Sequence, residues 1–226
     1  MPTVRSTQNL ENGKIAMTDQ QKAKFIHADR DIISKLIPEN AIVLDLGCGN
    51  GSLLADLVER KNVTGRGIDI DEKNIMRCVE RGLSVCHADL DEGLGDYPDN
   101  TYDYVILNQT LQVVNNPDLI IREMLRVGKY GIVGFPNFGY WQVRLKYLAA
   151  GRMPKTSMLP FEWYDTPNIH SLTIEDFRDF CKQRNIRIEH EEYLICCRWM
   201  SSPVWRPLAN LFALNGMFVI GRDRTL

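Results

Sequence analysis

Val43-Leu44-Asp45-Leu46-Gly47-Cys48-Gly49-Asn50-Gly51 is the stretch that decides the fold. An apolar run stops at Gly47, and beyond it the apolar residues Leu53, Leu54, Leu57 and Val58 fall at helical spacing. The pattern predicts a strand, a tight turn and a helix. A turn that lets a ligand lie against the backbone needs residues without Cβ, because a side chain would occupy the ligand's volume and some positions require positive φ. Gly47, Gly49 and Gly51 meet that need. The dinucleotide fingerprint places its third glycine at position 52, where Ser52 stands, so the spacing speaks against NAD.

Outward from this unit the rhythm repeats. Upstream, Ala23, Phe25, Ile26, Ile32, Ile33, Leu36 and Ile37 recur at loosely helical spacing until Pro38 ends the run. Downstream, the pattern predicts strands at Gly67–Ile70, Leu83–His87, Tyr102–Leu107 and Gly131–Phe135, with helices at Glu72–Arg81 and Asp118–Val127 between them. Strands alternating with helices at this spacing imply right-handed crossovers and a parallel, doubly wound sheet. After Pro136 the alternation stops, and residues 137–170, rich in aromatics and proline, read as a cap or irregular insertion. Thr173 is a helix N-cap with Asp176 in the place of a capping-box acid, followed by Phe177, Phe180 and Cys181 on one face. Two further strands are expected, Ile186–Cys196 and Met217–Ile220. They bring the sheet to seven, with the last strand antiparallel at or near an edge.

The whole chain is 226 residues, enough for one well-filled core, so residues 18–226 are expected to form one domain behind a flexible polar leader, 1–17. A net charge of −2 leaves no basic footprint for nucleic acid or an anionic membrane. The six cysteines lie scattered in apolar stretches, without a CxxC pair or a Cys/His cluster of zinc-ligand spacing. They read as reduced core thiols of a cytoplasmic protein without a structural metal. No segment has the length and apolarity of a signal peptide or spanning helix.

The Asp45–Gly51 stretch resembles the first motif of class I S-adenosylmethionine-dependent methyltransferases. That resemblance implies a Rossmann-like fold, a seven-stranded, mostly parallel sheet with helices on both faces. It also implies S-adenosylmethionine or S-adenosylhomocysteine as cofactor, against Asp45, Gly47, Cys48, Gly49 and Gly51. In that family the second strand ends in an acid that holds the ribose hydroxyls, and Asp69, followed by Ile70, stands there. An acid after the third strand contacts the adenine amino group, and Asp89, followed by Leu90, stands there. Asn108 and Gln109 follow the fourth strand at the carboxyl edge of the sheet, where open α/β sheets bind ligands.

Four later segments, Leu107–Gln112, Phe135–Gly139, Gly151–Pro154 and Trp163–His170, resemble the family of the methionine biosynthesis protein MetW. The likeness runs from about Asp29 to Arg222. It implies a place in methionine biosynthesis beside a homoserine O-acyltransferase of the α/β-hydrolase fold. Methyl transfer itself is an in-line displacement that needs alignment and exclusion of water more than a dedicated nucleophile. At the mouth of the site, beside Asn108, Gln109 and Gln112, His170 is a candidate base, Asp165 a group to orient it and Tyr164 a further candidate. Two readings follow: an accessory, cofactor-sensing subunit of the acyltransferase, or a methyltransferase acting on an unidentified small acceptor. The aromatic segment, including Phe138, Tyr140, Trp141, Tyr147, Phe161 and Trp163, is then a partner surface, an acceptor lid or packed core.

Overall fold

In the computed structural model the described residues are 19–156, 161–195, 198–201 and 203–222, with the backbone alone described for 19–27. The expected leader, 1–17, lies outside them. Helix α1 (Asp19–Leu36) precedes β1 (Ile42–Leu46), α2 (Ser52–Lys61), β2 (Thr64–Asp69), α3 (Glu72–Glu80) and β3 (Ser84–His87). A single 3-10 turn (Leu90–Glu92) leads to β4 (Tyr102–Asn108), α4 (Pro117–Val127) and β5 (Gly128–Pro136). The rest of the chain forms α5 (Trp141–Ala150), α6 (Ile174–Gln183), β6 (Ile186–Ile195), β7 (Arg198–Met200), α7 (Ala209–Phe212) and β8 (Asn215–Arg222).

The strands make one sheet in the order β3-β2-β1-β4-β5-β8-β6-β7. Strands β1 to β5 are parallel, and β8 runs antiparallel to both of its neighbours, β5 and β6. Pleat parity sends Leu44, Leu46, Val105, Leu107, Val133 and Phe135 into one apolar layer, covered by α4 and α6. Val43, Ile106 and Ile132 enter the other, against Ile32 and Ile33 of α1, Ile37 just past its end, and Leu53 and Leu57 of α2.

Three expectations differ from the structure. The sheet has eight strands, because the expected run to Cys196 turns back within a few residues and Leu194 and Tyr193 pair with Trp199 and Met200. Three residues are too few to show periodicity, which hid β7. The last strand, β8, is antiparallel as expected but interior: its backbone is hydrogen-bonded to β5 on one side and to β6 on the other. The segment 137–170 is also more regular than expected, since it contains the ten-residue helix α5, closed by Gly151 in the left-handed region (φ +57°). Among the described residues no helix is long and apolar enough to cross a membrane.

Candidate functional site

The turn after β1 is built as its glycines suggest. Gly47, Gly49 and Gly51 all have left-handed φ, +70°, +55° and +72°. The backbone N–H groups of Gly47 and Cys48 both donate to the Ile68 carbonyl of β2, at 2.8 and 2.9 Å, which curls the turn over the adjacent strand. The three positions have different surroundings. A Cβ on Gly47 would meet Thr110 Oγ1 at 2.6 Å, and one on Gly51 would meet Leu83 Cδ1 at 2.5 Å and Cys78 Sγ at 2.8 Å. A Cβ on Gly49 would meet nothing within 4 Å. Gly49 therefore borders open space, while the other two are glycine because protein already fills the volume.

Acids ring that space. Asp69, at the end of β2, is buried, and its carboxylate accepts from the N–H of Gly49 at 2.7 Å, the N–H of Asp71 at 2.9 Å and Asn74 Nδ2 at 3.2 Å. A carboxylate offers roughly four acceptor positions, so three are committed to the protein and one is left for a ligand hydroxyl. Asp45 is buried at the end of β1, on the same face of the sheet as Val43. Burial, and then the charge of Asp69, push its carboxyl up to about 7. Ile70, just past Asp69, is 62% exposed and offers a bare apolar side chain at the rim. Cys48 and Cys78 are buried free thiols with their sulfurs 3.9 Å apart, and burial holds both in the protonated form. Cys181 is likewise buried, whereas Cys86 is exposed, contrary to its reading as a core thiol.

Asp89 caps the 3-10 turn, accepting from the Asp91 N–H at 2.9 Å, and Leu90 turns into the core. Asp91 is engaged elsewhere: it accepts from the N–H groups of Asn115 and Asn116 and from Asn115 Nδ2, tying this turn to the approach of α4. The bond that Asp89 accepts falls on Oδ1, which leaves its Oδ2 for a ligand.

At the carboxyl end of β4 lies a second cluster. Gln109 adopts φ +57°, which is uncommon for a residue that is neither glycine nor asparagine, and its N–H donates to Gly134 O at 2.7 Å. Its Nε2 reaches Asp29 Oδ2 of α1 at 3.4 Å. Asp29 is 7% exposed, and burial drives its carboxyl up to about 7. Asp29 Oδ1, Asn108 Oδ1 and the Trp199 indole nitrogen are buried without a hydrogen-bond partner. Unmet buried polar groups are rare and costly, so their concentration here marks a place where something polar belongs. Sequence reading missed Asp29 and Trp199. The available signal was a lone acid in line with Ile32, Ile33 and Leu36 on the buried stripe of α1.

The remaining candidates are not brought together. Tyr164 and Asp165 stand exposed, whereas His170 Nε2 is buried without a partner and its ring lines an apolar cavity of about 200 Å³ with Leu111, Ile121, Leu172 and Phe177. The backbone N–H of His170, with that of Ile169, donates to the Gln112 carbonyl, and Gln112 Nε2 donates to Gln109 O. Among the described residues no group of three or more His, Cys, Asp or Glu side chains is arranged to hold a metal ion.

Comparison with known proteins follows the same lines. The family model described as methionine biosynthesis protein MetW matches residues 27–220. A bifunctional methionine biosynthesis protein MetXA/MetW of Rhodopirellula baltica is 41% identical over 177 residues, 74% of this chain but 28% of that protein, so the chain spans under a third of the relative's length. Among solved structures, an S-adenosylmethionine-dependent methyltransferase of Thermotoga maritima superposes with a TM-score of 0.63 at 14% identity, covering 91% of this chain and 95% of the other. The [4+2]-cyclase SpnF superposes with a TM-score of 0.62 at 17% identity, covering 94% and 86%. The architecture is that of the Rossmann-like class I methyltransferases, a fold that a cyclase shares.

Proposed function

The chain belongs to the family of the methionine biosynthesis protein MetW, and from that premise we propose that it binds S-adenosylmethionine or S-adenosylhomocysteine and serves as an accessory subunit of a homoserine O-acyltransferase. The observation that carries the ligand assignment is the open space at Gly49 beside two buried acids, Asp45 and Asp69, with no cationic side chain among the groups that perturb Asp45. Uncompensated acid in a low-dielectric turn repels a pyrophosphate and favours a ligand bearing positive charge. Both forms of the cofactor carry an ammonium group, and S-adenosylmethionine adds a sulfonium.

In this reading the backbone of Gly47, Cys48, Gly49 and Gly51 lies against the amino-acid part of the ligand. Asp69 takes a ribose hydroxyl, Ile70 flanks the purine, Asp89 accepts from its amino group, and Asp45 and Asn108 close the sulfur side. When bound, S-adenosylmethionine supplies a transferable methyl group. The accessory role draws instead on the ligand's presence, since acylation of homoserine needs no methyl donor and S-adenosylmethionine is a downstream product that reports supply. The fused MetXA/MetW relative supports the partnership, because joining two chains holds them at high effective concentration.

One observation favours a second reading, methyl transfer to a small acceptor: the cavity of about 200 Å³ that holds His170 beside apolar side chains. A single experiment separates the two. Acyltransferase activity is measured with and without this protein across a titration of S-adenosylmethionine, while S-adenosylhomocysteine production is followed in parallel. A ligand-dependent change in acylation without turnover supports the accessory subunit, and turnover without any effect on acylation supports the methyltransferase.

A further inference from the structure

Among the described residues, more than half of the large exposed apolar side chains fall between positions 141 and 169. Helix α5 has no buried residue. Trp141, Leu145 and Leu148 follow one another at i, i+4 and i+7 and so form one stripe, with Leu148 83% exposed. A ten-residue helix is marginal by itself and normally gains its stability by burying such a stripe. What holds α5 to the rest of the molecule is polar: Arg144 Nε donates to Gly139 O, and Lys146 Nζ to Lys155 O at 2.7 Å. Lys155 in turn pairs with Glu162, which brings Trp163, 74% exposed, into the neighbourhood of α5.

The charge on this segment is one-sided. Residues 141–155 contain Arg144, Lys146, Arg152 and Lys155 and no acid; beyond them Glu162 pairs with Lys155 and Asp165 stands exposed, so the face as a whole keeps a cationic excess. Exposed Trp, Tyr and Met with interspersed Arg is the composition of a protein–protein contact core, and its cationic rim calls for an acidic counterpart. The far border of the segment is bonded to the ligand site. Ile169 and His170 hang from the Gln112 carbonyl, Gln112 from Gln109, and Gln109 from Asp29.

We propose that α5 and the loop from Trp163 to Ile169 form the docking face for the homoserine acyltransferase chain, an apolar contact through Trp141, Leu145, Leu148 and Trp163 ringed by cations that meet an acidic rim. This rests on the accessory-subunit reading above. The path through Gln112 and Gln109 gives the face its use, since a ligand that shifts Gln109 shifts the edge of the contact surface.

The test uses the full chain and the purified acyltransferase, with the dissociation constant measured by interferometry or calorimetry. Leu148→Asp and Trp163→Ala are compared with wild type, and each is checked for unchanged circular dichroism and unchanged S-adenosylhomocysteine affinity. At least a tenfold weakening for each variant, with retained fold and ligand binding, is expected. Full-strength binding by folded variants overturns the face and leaves the accessory reading intact, whereas failure of wild type to bind overturns both. If Leu148→Asp abolishes self-association or sedimentation with anionic vesicles while acyltransferase binding is kept, the face belongs to a second copy or a membrane and the proposal fails. Sensitivity of wild-type binding to salt, reduced in Arg152→Ala, whose side chain is exposed and tethers nothing among the described residues, is the expected sign of the cationic rim.

Discussion

Substituting alanine at Gly49 and, separately, at Gly51 separates the glycine that holds the turn from the one that makes room for a ligand. Both sit in the left-handed region, where a side chain costs about 1 kcal/mol in backbone strain. At Gly49 that is the whole intramolecular cost, because the new methyl enters empty space. Gly49→Ala should therefore lower stability by about 1 kcal/mol, a shift in Tm of roughly 2–4 °C for a domain of this size. At Gly51 the methyl meets Leu83 and Cys78, so overpacking of about 1–3 kcal/mol adds to the strain. Ligand affinity should follow the opposite order. The Gly49 methyl projects into the volume assigned to the ligand, and a loss of about 3 kcal/mol corresponds to roughly a hundredfold in Kd. Differential scanning fluorimetry gives the two Tm shifts and calorimetry with S-adenosylhomocysteine gives the affinities. An affinity for Gly49→Ala within threefold of wild type refutes the placement of the ligand, and a Tm loss equal to that of Gly51→Ala refutes the reading of open space.

Asp29 and Asp45 bear on pH. Each has a folded-state pKa near 7 against an ordinary 3.8, so stability is full below about pH 4 and falls as pH rises towards 7. Asp29→Asn removes one such burden and should raise Tm at pH 8 by the equivalent of about 1–3 kcal/mol while changing little at pH 4.5; an equal shift at both values excludes titration as the cause. S-adenosylmethionine should bind more tightly at pH 8 than at pH 6, because Asp45 loses its proton over that interval, and in Asp45→Asn the dependence should flatten. Asn137 is buried and donates to Asn210 O and Ala213 O while accepting from the N–H groups of Gly139 and Ile174. Asn137→Ala should cost about 2–4 kcal/mol in urea unfolding, and a loss below 0.5 kcal/mol means that these bonds are replaced by water.

The parts legible in the sequence were those written in local code. Apolar runs closed by Gly47 or Pro136 marked β1 and β5, and Thr173 with Asp176 marked the start of α6, where the reciprocal capping box is present. The glycines of the turn after β1 were legible because only backbone conformation and close approach explain them. Periodicity does not report partners. Strand β8 reads as apolar wherever it lies, and its insertion between β5 and β6 is set by backbone pairing with both, which periodicity along one segment does not reveal. Asp29 and Trp199 are 170 positions apart in sequence and meet only because the short hairpin returns past α1, which makes contact with β7. The bareness of α5 was hidden for the opposite reason, since its aromatic content resembles that of a core helix and only exposure distinguishes them.

The insertion of β8 also sets the order in which this molecule can be completed. Strands β1 to β5 and their helices are contiguous in the chain and can associate as they leave the ribosome. The hairpin of β6 and β7 has no seat on them, because β6 bonds to β8 and not to β5. Until residues 215–222 emerge, the edge of β5 from Tyr130 to Pro136 stays open, and it is long, apolar and free of charge beyond Lys129. Strand β8 is thus the keystone of the sheet, and a chain that stalls before Asn215 exposes the open edges of β5 and β6 to its neighbours in the cell.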